Sequence, residues 1–213
     1  MTTVQQITTE RLTLRAFEAS DVHAVYDIFS DDRVTEFYDC DTFSRLEQAK
    51  EWLASRTPGD VKHDGQGATW AICLTAAPGV VIGSCGFHTI NRDFYSIAIG
   101  YDLHPAHWGR GYAFEANAAM LGFCFANDVP FHVNRVAATT DLDSQRSMNL
   151  LRKLGFSEEG VLRQYGYWKG KFNDVRMFSL LREDWSKKTA PSKADRLGPR
   201  GHFPSPYTTE KLP

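Results

Sequence analysis

Residues 104–116 read HPAHWGRGYAFEA. The chemistry this set of residues can do is anion binding. Pro105 cannot extend a hydrogen-bonded ladder, so the apolar run before it ends near Leu103 and His104. A turn over residues 108–113 then opens directly into a helical pattern. The first N–H groups of a helix lack partners and lie at the positive end of its dipole, where they bind anions. Gly109 and Gly111 let that backbone approach a phosphate with no Cβ in the way. Two glycines separated by one residue, taken alone, specify only a sharp turn. The common nucleotide loops are absent: there is no GxxxxGK[ST], and GxGxxG fails at Phe114.

A second constellation lies at residues 139–156, TTDLDSQRSMNLLRKLGF. It reads as a strand end, a short helix capped by Asp143 or Ser144, basic residues Arg152 and Lys153 in the last turn, and Gly155 just past it. Ser144 and Ser147, three apart, share a helix face. Capping accounts for Ser144 and leaves Ser147 free for chemistry or for a plain surface role. Among acid–base candidates, Asp102 follows the central apolar strand, His88 ends the strand before it, and Glu36 lies in the loop RVTEFYDCD. Each also has a structural reading: a cation partner for Asp102, a satisfied strand position for His88, solvation for Glu36. His104 and His107 flank a proline and have no third ligand at matching spacing, so no metal is expected.

The elements that must position these residues follow from periodicity. Residues 9–17 alternate as a strand, and Ser20 and Asp21 offer capping for a helix carrying Val22, Val25, Ile28 and Phe29. Residues 42–56 repeat the helical spacing. Three strands follow, over residues 69–75, 80–90 and 94–103, joined by short turns at Pro78-Gly79 and at residues 91–93, an antiparallel meander. After the glycine stretch come a long helix, a strand over 134–140, the short helix over 144–154, and a hairpin turning near Lys169-Gly170. The order β-α-α-β-β-β-α-β-α-β-β is a mixed α/β sandwich, not a doubly wound fold of alternating βαβ units.

Composition narrows the function classes. The 213-residue chain is 42% hydrophobic and 13% aromatic, enough for one sizeable core. A formal net charge of −2 carries no basic footprint for nucleic acid. The longest apolar run, residues 118–126, is too short to span a bilayer, and the N-terminus has no signal-peptide core, so a cytoplasmic protein is expected. Cys40, Cys73, Cys85 and Cys124 show no CxxC spacing, and three of them sit in apolar runs as buried hydrophobes do. From residue 187 onward prolines accumulate beside six basic and two acidic residues. Residues 1–186 are therefore expected to form the domain, and 187–213 a flexible basic tail.

In the order and spacing of TERLTLR, HPAHWGRGYAFEA, TTDLDSQRSMNLLRKLGF and GYWKGKFNDVRMFSLL, residues 9–185 resemble the GNAT superfamily of N-acyltransferases, and within it the ribosomal-protein N-terminal acetyltransferases of the Rim type. The resemblance implies a mixed, mostly antiparallel sheet of six to seven strands flanked by about four helices. It implies acetyl-CoA as cosubstrate, bound by Leu103, His104, Trp108, Gly109, Arg110, Gly111, Tyr112, Ala113 and Ser144, with the diphosphate on the N–H groups of residues 109–113. The backbone N–H near Leu103 would hold the thioester carbonyl and stabilise the oxyanion that forms there. Ser147 occupies the family position that approaches the sulfur; Asp102, His88 and Glu36 are the candidate bases. Trp108 stands where the family has Gln or Arg, and Ser144 where it has Asn. The implied partner is an amine acceptor, either a protein N-terminus or a small molecule; oligomeric state, a homodimer included, is left open by the sequence, and nucleic acid and membrane are not expected. The rival from another class is a non-catalytic acyl-CoA-binding module.

Overall fold

Eight strands form one sheet in the computed structural model, which describes residues 5–56, 67–127 and 131–189. They are β1 (Ile7–Thr8), β2 (Leu12–Arg15), β3 (Ala68–Leu74), β4 (Ala77–Asn91), β5 (Ser96–Leu103), β6 (Arg135–Asp141), β7 (Ser157–Trp168) and β8 (Lys171–Leu181). Their spatial order is β1-β2-β3-β4-β5-β6-β8-β7. Six α-helices accompany them among the described residues: α1 (Val22–Phe29), α2 (Asp32–Thr35), α3 (Leu46–Ala54), α4 (Tyr112–Asn127), α5 (Gln145–Leu154) and α6 (Arg182–Thr189).

The mixed, mostly antiparallel sheet is as expected, with one strand more than the upper figure. The addition is β1, a two-residue segment ahead of the TERL stretch that pairs Ile7 with Leu14. The helix total rises through two elements too short or too polar for a periodic signal. One is the single turn α2, capped by Asp31 accepting from the Arg33 N–H; the other is α6. Helix α6 runs past residue 186, so residues 187–189 belong to it, and Lys188 donates from its ammonium to the Lys153 carbonyl. Residues 190–213 of the expected tail lie outside the described residues, as do residues 57–66.

Two local expectations are corrected. The turn between β3 and β4 closes at Thr75-Ala76, not Pro78-Gly79. Leu74 pairs with Ala77 and Cys73 with Val81, so Pro78, Gly79 and Val80 form a bulge at the start of β4. A bulge suits Pro78, whose missing N–H would break a regular ladder. His88 is interior to β4, which continues to Asn91.

The period of two along the strands separates two cores. On one face Ala71, Cys73 and Val81 pack with Val25, Ile28 and Phe29 of α1 and Ala49 and Leu53 of α3. On the other, Leu12, Trp70, Ile82, Phe87 and Ile99 pack with Met120 and Leu121 of α4 and Met148 and Leu151 of α5. At the edge of the first core, Arg15 holds the buried Asp21 carboxylate through bonds of 2.8 and 2.9 Å; that carboxylate makes no capping bond to α1 and instead accepts from the Glu18 N–H at 2.8 Å, closing the capping box of the 3₁₀ turn that leads into the helix.

The feature that shapes the site is the single parallel contact. β5 and β6 pair only at Ser96↔Arg135, Ile97↔Val136 and Ala98↔Ala137. Beyond Ala98 they part: β5 stays with β4 as far as Leu103↔Gly83, while β6 stays with β8 as far as Asp141↔Val175.

Candidate active site

The gap between β5 and β6 has main-chain groups on its wall. The His104 N–H donates to the Ile82 carbonyl at 2.8 Å, so the even-numbered residues of β5 face β4. Alternation in an antiparallel ladder then turns the main-chain groups of Tyr101 and Leu103 toward the gap. The Leu103 carbonyl there accepts from the Trp108 indole N–H at 2.7 Å, leaving the Leu103 N–H as the group on offer.

That bond explains the tryptophan. It ties the turn after β5 back to the strand end, and the Arg146 guanidinium of α5 lies 4.3 Å above the same ring. Residues 105–107 form a 3₁₀ turn whose entry is capped by His104 Nδ1, accepting from the Ala106 N–H. Gly109 and Gly111 then adopt φ of +74° and +82°, the left-handed region where a side chain is strained. A Cβ on Gly109 would meet nothing within 4 Å, so the loop surface is open where an anion has to approach.

Arg11 holds this loop from behind. Its Nη1 donates to the Arg110 carbonyl at 3.0 Å, and its guanidinium lies 4.8 Å from the Tyr112 ring centroid. Its Nε, its backbone N–H and the Thr9 hydroxyl all donate to the Glu115 carboxylate in the first turn of α4, at 2.6, 2.9 and 2.6 Å. Burial acts to raise the Glu115 pKa, but these donors outweigh it and the pKa is lowered. Glu115 thus buttresses the helix start as an ion. Arg11 is a residue the motif reading passed over, although its TERL segment was already part of the family pattern.

Helix α5 brings two serines to the same side. Ser144 is the N-cap residue, but its side chain makes no capping bond, contrary to the sequence expectation. The turn is held instead by Asp141, whose carboxylate accepts from the Asp143 N–H at 2.9 Å. The Ser144 hydroxyl is therefore not consumed by the helix. Ser147 is half-buried, and its Oγ lies 2.6 Å from the Tyr101 hydroxyl of β5. Burial pushes the Tyr101 phenol up to about 12. Nearby on the sequence, Thr140 of β6 has a buried hydroxyl with no partner among the described residues, as does Nδ1 of His107 beside the glycine loop. Open space over Gly109, main-chain groups lining a split strand pair, an unused Ser144 hydroxyl and two orphaned polar atoms fit a long, polar, anionic molecule such as coenzyme A.

Asp102 faces the opposite side of the sheet. It is buried, and its carboxylate accepts from the Ser84 N–H at 3.0 Å and from the Ser84 hydroxyl. Burial raises its pKa to about 6; the Ser84 bonds and the Arg56 charge oppose that rise. The partner is thus a serine rather than the cation considered from sequence. Tyr38, whose hydroxyl is pushed well above its ordinary value by burial and then by Asp102, is close enough to sense this carboxylate. His88 lies along the same face: its Nε2 would be 3.6 Å from a Cβ on Gly100, between it and Asp102. Desolvation lowers the His88 pKa against the pull of Asp39. Glu36 is not drawn into this strip. It is exposed, and among the described residues its carboxylate has no hydrogen bond or ion pair.

The end of the β7–β8 hairpin reaches α2, where Lys169 Nζ donates to the carbonyls of Thr35 and Glu36 at 2.6 and 3.2 Å. An open depression of about 390 Å³ lies here, lined by Asp32, Arg33, Thr35, Glu36, Thr42 and Lys169. On the same hairpin Tyr165 and Tyr167 are exposed and are not core residues.

A loop of backbone amides beside a split strand pair, with a hydroxyl on one face and a buried carboxylate on the other, suits the chemistry of an acyl-group transferase, and the family comparison gives that class. The sequence model for the acetyltransferase (GNAT) domain matches residues 11–157, and the chain belongs to that family as an acetyl-CoA-dependent N-acetyltransferase. It is 34% identical over 183 residues to an uncharacterized N-acetyltransferase, p20, of Bacillus licheniformis, covering 86% of this chain and 99% of that one. It is 29% identical over 107 residues to the [ribosomal protein uS5]-alanine N-acetyltransferase of Escherichia coli, covering 50% of this chain and 54% of the relative. Among solved structures, a GNAT-family acetyltransferase from Bacillus anthracis superposes with a TM-score of 0.71 at 23% identity, covering 84% and 99% of the two chains. RimL, a ribosomal L7/L12 alpha-N-protein acetyltransferase in complex with coenzyme A, superposes with a TM-score of 0.71 at 20% identity, covering 83% and 98%. No helix among the described residues is long and apolar enough to cross a membrane.

Proposed function

We propose that the protein transfers the acetyl group of acetyl-CoA to the N-terminal amine of a protein or peptide. The observation that carries this reading is the separation of Asp102 and the Tyr101–Ser147 pair onto opposite faces of β5, at the point where β6 has left it. Coenzyme enters from the α4–α5 face, acceptor from the α1–α3 face, and the two meet across the split strand. The N–H groups of Gly109, Arg110, Gly111, Tyr112 and Ala113 hold the diphosphate; Leu103, His104, Trp108 and Ser144 line the course of the arm.

Each chain group then has one task. The Leu103 N–H bonds the thioester carbonyl and stabilises the negative charge that grows on its oxygen, a contribution of about 2.7–4 kcal/mol for a well-placed donor. Asp102, ionised above a pKa of about 6, takes the proton lost by the attacking amine, directly or through one water. As the C–S bond breaks, its electron pair leaves on sulfur and the Ser147 hydroxyl donates to it. A thiol of pKa about 8.5, by analogy with cysteine, needs only weak assistance to leave. His88 shares the Asp102 face as the second base candidate, and Glu36, exposed beside the Lys169 depression, serves acceptor binding rather than proton transfer.

A peptide acceptor is favoured by the open depression between α2 and the hairpin, with exposed Tyr165 and Tyr167 nearby, and by the E. coli relative's action on an alanine of a ribosomal protein. The test is thiol release from acetyl-CoA against three acceptor sets: peptides with free N-termini, the same peptides N-blocked, and small amines. Turnover confined to unblocked peptides supports the assignment. Preference for small amines overturns the peptide reading, and coenzyme binding with no turnover on any set supports a non-catalytic binding module instead.

A further inference from the structure

We propose that Tyr101 is a positioning residue that holds the Ser147 hydroxyl with its proton turned toward the coenzyme's sulfur. The inference rests on the assignment of Ser147 as the donor to that sulfur and adds how a serine is made fit for the task.

A serine in a helix either points its hydroxyl to solvent or turns it back to the carbonyl of residue i−4. Ser147 does neither: among the described residues its Oγ has one hydrogen-bond partner, the Tyr101 hydroxyl at 2.6 Å. The bond joins α5 to β5 across the mouth of the gap where the strands have separated, 46 residues apart in sequence.

The direction of the bond follows from acidity. A phenol is a far stronger acid than an aliphatic alcohol and gives up its proton to a hydrogen bond more readily. Tyr101 is partly buried against the core and its removal from water disfavours the phenolate, so the hydroxyl stays protonated. Tyr101 therefore donates and Ser147 Oγ accepts. Having accepted, the serine oxygen has its own proton directed elsewhere, and neither the helix carbonyl nor Tyr101 takes it. A hydroxyl that accepts one bond is polarised into a better donor in the next. Tyr101 thus sets the rotamer and strengthens the outgoing bond without giving up its own proton.

The test uses coenzyme A itself as probe and needs no acceptor. The pKa of the bound thiol is read from thiolate absorbance, as the difference between full-length protein with and without coenzyme A, in wild type, Tyr101→Phe, Ser147→Ala and the double variant. A positioned donor lowers that pKa; Tyr101→Phe is expected to raise it by about one unit, about tenfold less thiolate at a given pH, and Ser147→Ala to do the same. The double variant should shift no further, because the two residues act as one. Phe keeps the ring and its packing against the core, and thermal melting with coenzyme A confirms that each form folds and binds. A Tyr101→Phe thiol identical to wild type while Ser147→Ala shifts it overturns the inference and leaves the serine assignment intact. Identical values in all four forms overturn both. Coenzyme A that gives the wild type no thermal protection would remove the coenzyme site itself, a failure visible before any thiol is titrated.

Discussion

Arg11 and Glu115, 104 residues apart in the chain, meet at 2.6 Å at the first turn of α4. A negative charge is favourable at a helix start, but beside a diphosphate site it would repel the ligand. Arg11 neutralises it while gripping the Arg110 carbonyl, so one guanidinium both cancels the charge and fixes the loop proposed to hold the diphosphate. Arg11→Ala is expected to weaken coenzyme A binding about tenfold, equivalent to about 1.4 kcal/mol, with little change in kcat at saturation. Calorimetric titration checks the first part and steady-state kinetics the second. Arg11→Lys should recover only part, because an ammonium cannot make the forked contact.

Gly109→Ala separates binding from folding. The left-handed φ costs about 1 kcal/mol for alanine, a shift of a few degrees in melting temperature. The new methyl meets no protein atom and so intrudes only on whatever lies over the loop. The loss in acetyl-CoA affinity should exceed tenfold. Melting with and without coenzyme A tests this: a stabilising shift equal to that of wild type would refute the loop assignment.

Asp102 predicts both a pH profile and a stability effect. As the base it must be ionised, so kcat/KM should fall as pH drops through about 6. Asp102→Asn should remove that acid limb along with most of the activity. The stability sign is opposite to that of a salt-bridged aspartate. Its folded pKa lies above the ordinary 3.8, so the folded state binds more protons between 3.8 and about 6, and stability falls as pH rises through that window. The gap corresponds to about 3 kcal/mol carried as a cost at neutral pH. Asp102→Asn, able to keep hydrogen bonds with Ser84, should be at least as stable as wild type at pH 8 in urea denaturation.

Lys169→Met releases the hairpin from α2. With the bonds to the Thr35 and Glu36 carbonyls gone, the acceptor side loosens while the glycine loop is untouched. KM for the acceptor should rise several-fold with the acetyl-CoA KM unchanged; equal rises in both would show that the hairpin is coupled to the coenzyme side.

Much of the fold was legible because it is written in local rules. Alternation marked the strands near Leu12 and Leu14, helical spacing marked α1, α4 and α5, and Lys169-Gly170 marked the hairpin turn. The turn and helix start of the proposed coenzyme loop were legible because a proline, two glycines and a helix start are contiguous. The Thr75-Ala76 turn was missed because Pro78-Gly79 has the stronger turn chemistry, which a bulge absorbed instead. Helix α2 is too short to have a period.

What the sequence determined by itself was the class of chemistry, because the segments that carry the family pattern are each contiguous in the chain and a linear reading finds them. What only the tertiary structure decided was which side chains act together. Tyr101 and Asp102 are adjacent in sequence, yet a strand sends successive side chains to opposite faces, one to Ser147 and the other to Ser84. Arg11 reaches Glu115 only because α4 packs against the face of β2 that carries Leu12 and Leu14. Pairings of that kind depend on register and on where β5 parts from β6, and no local pattern of residues encodes the distance between them.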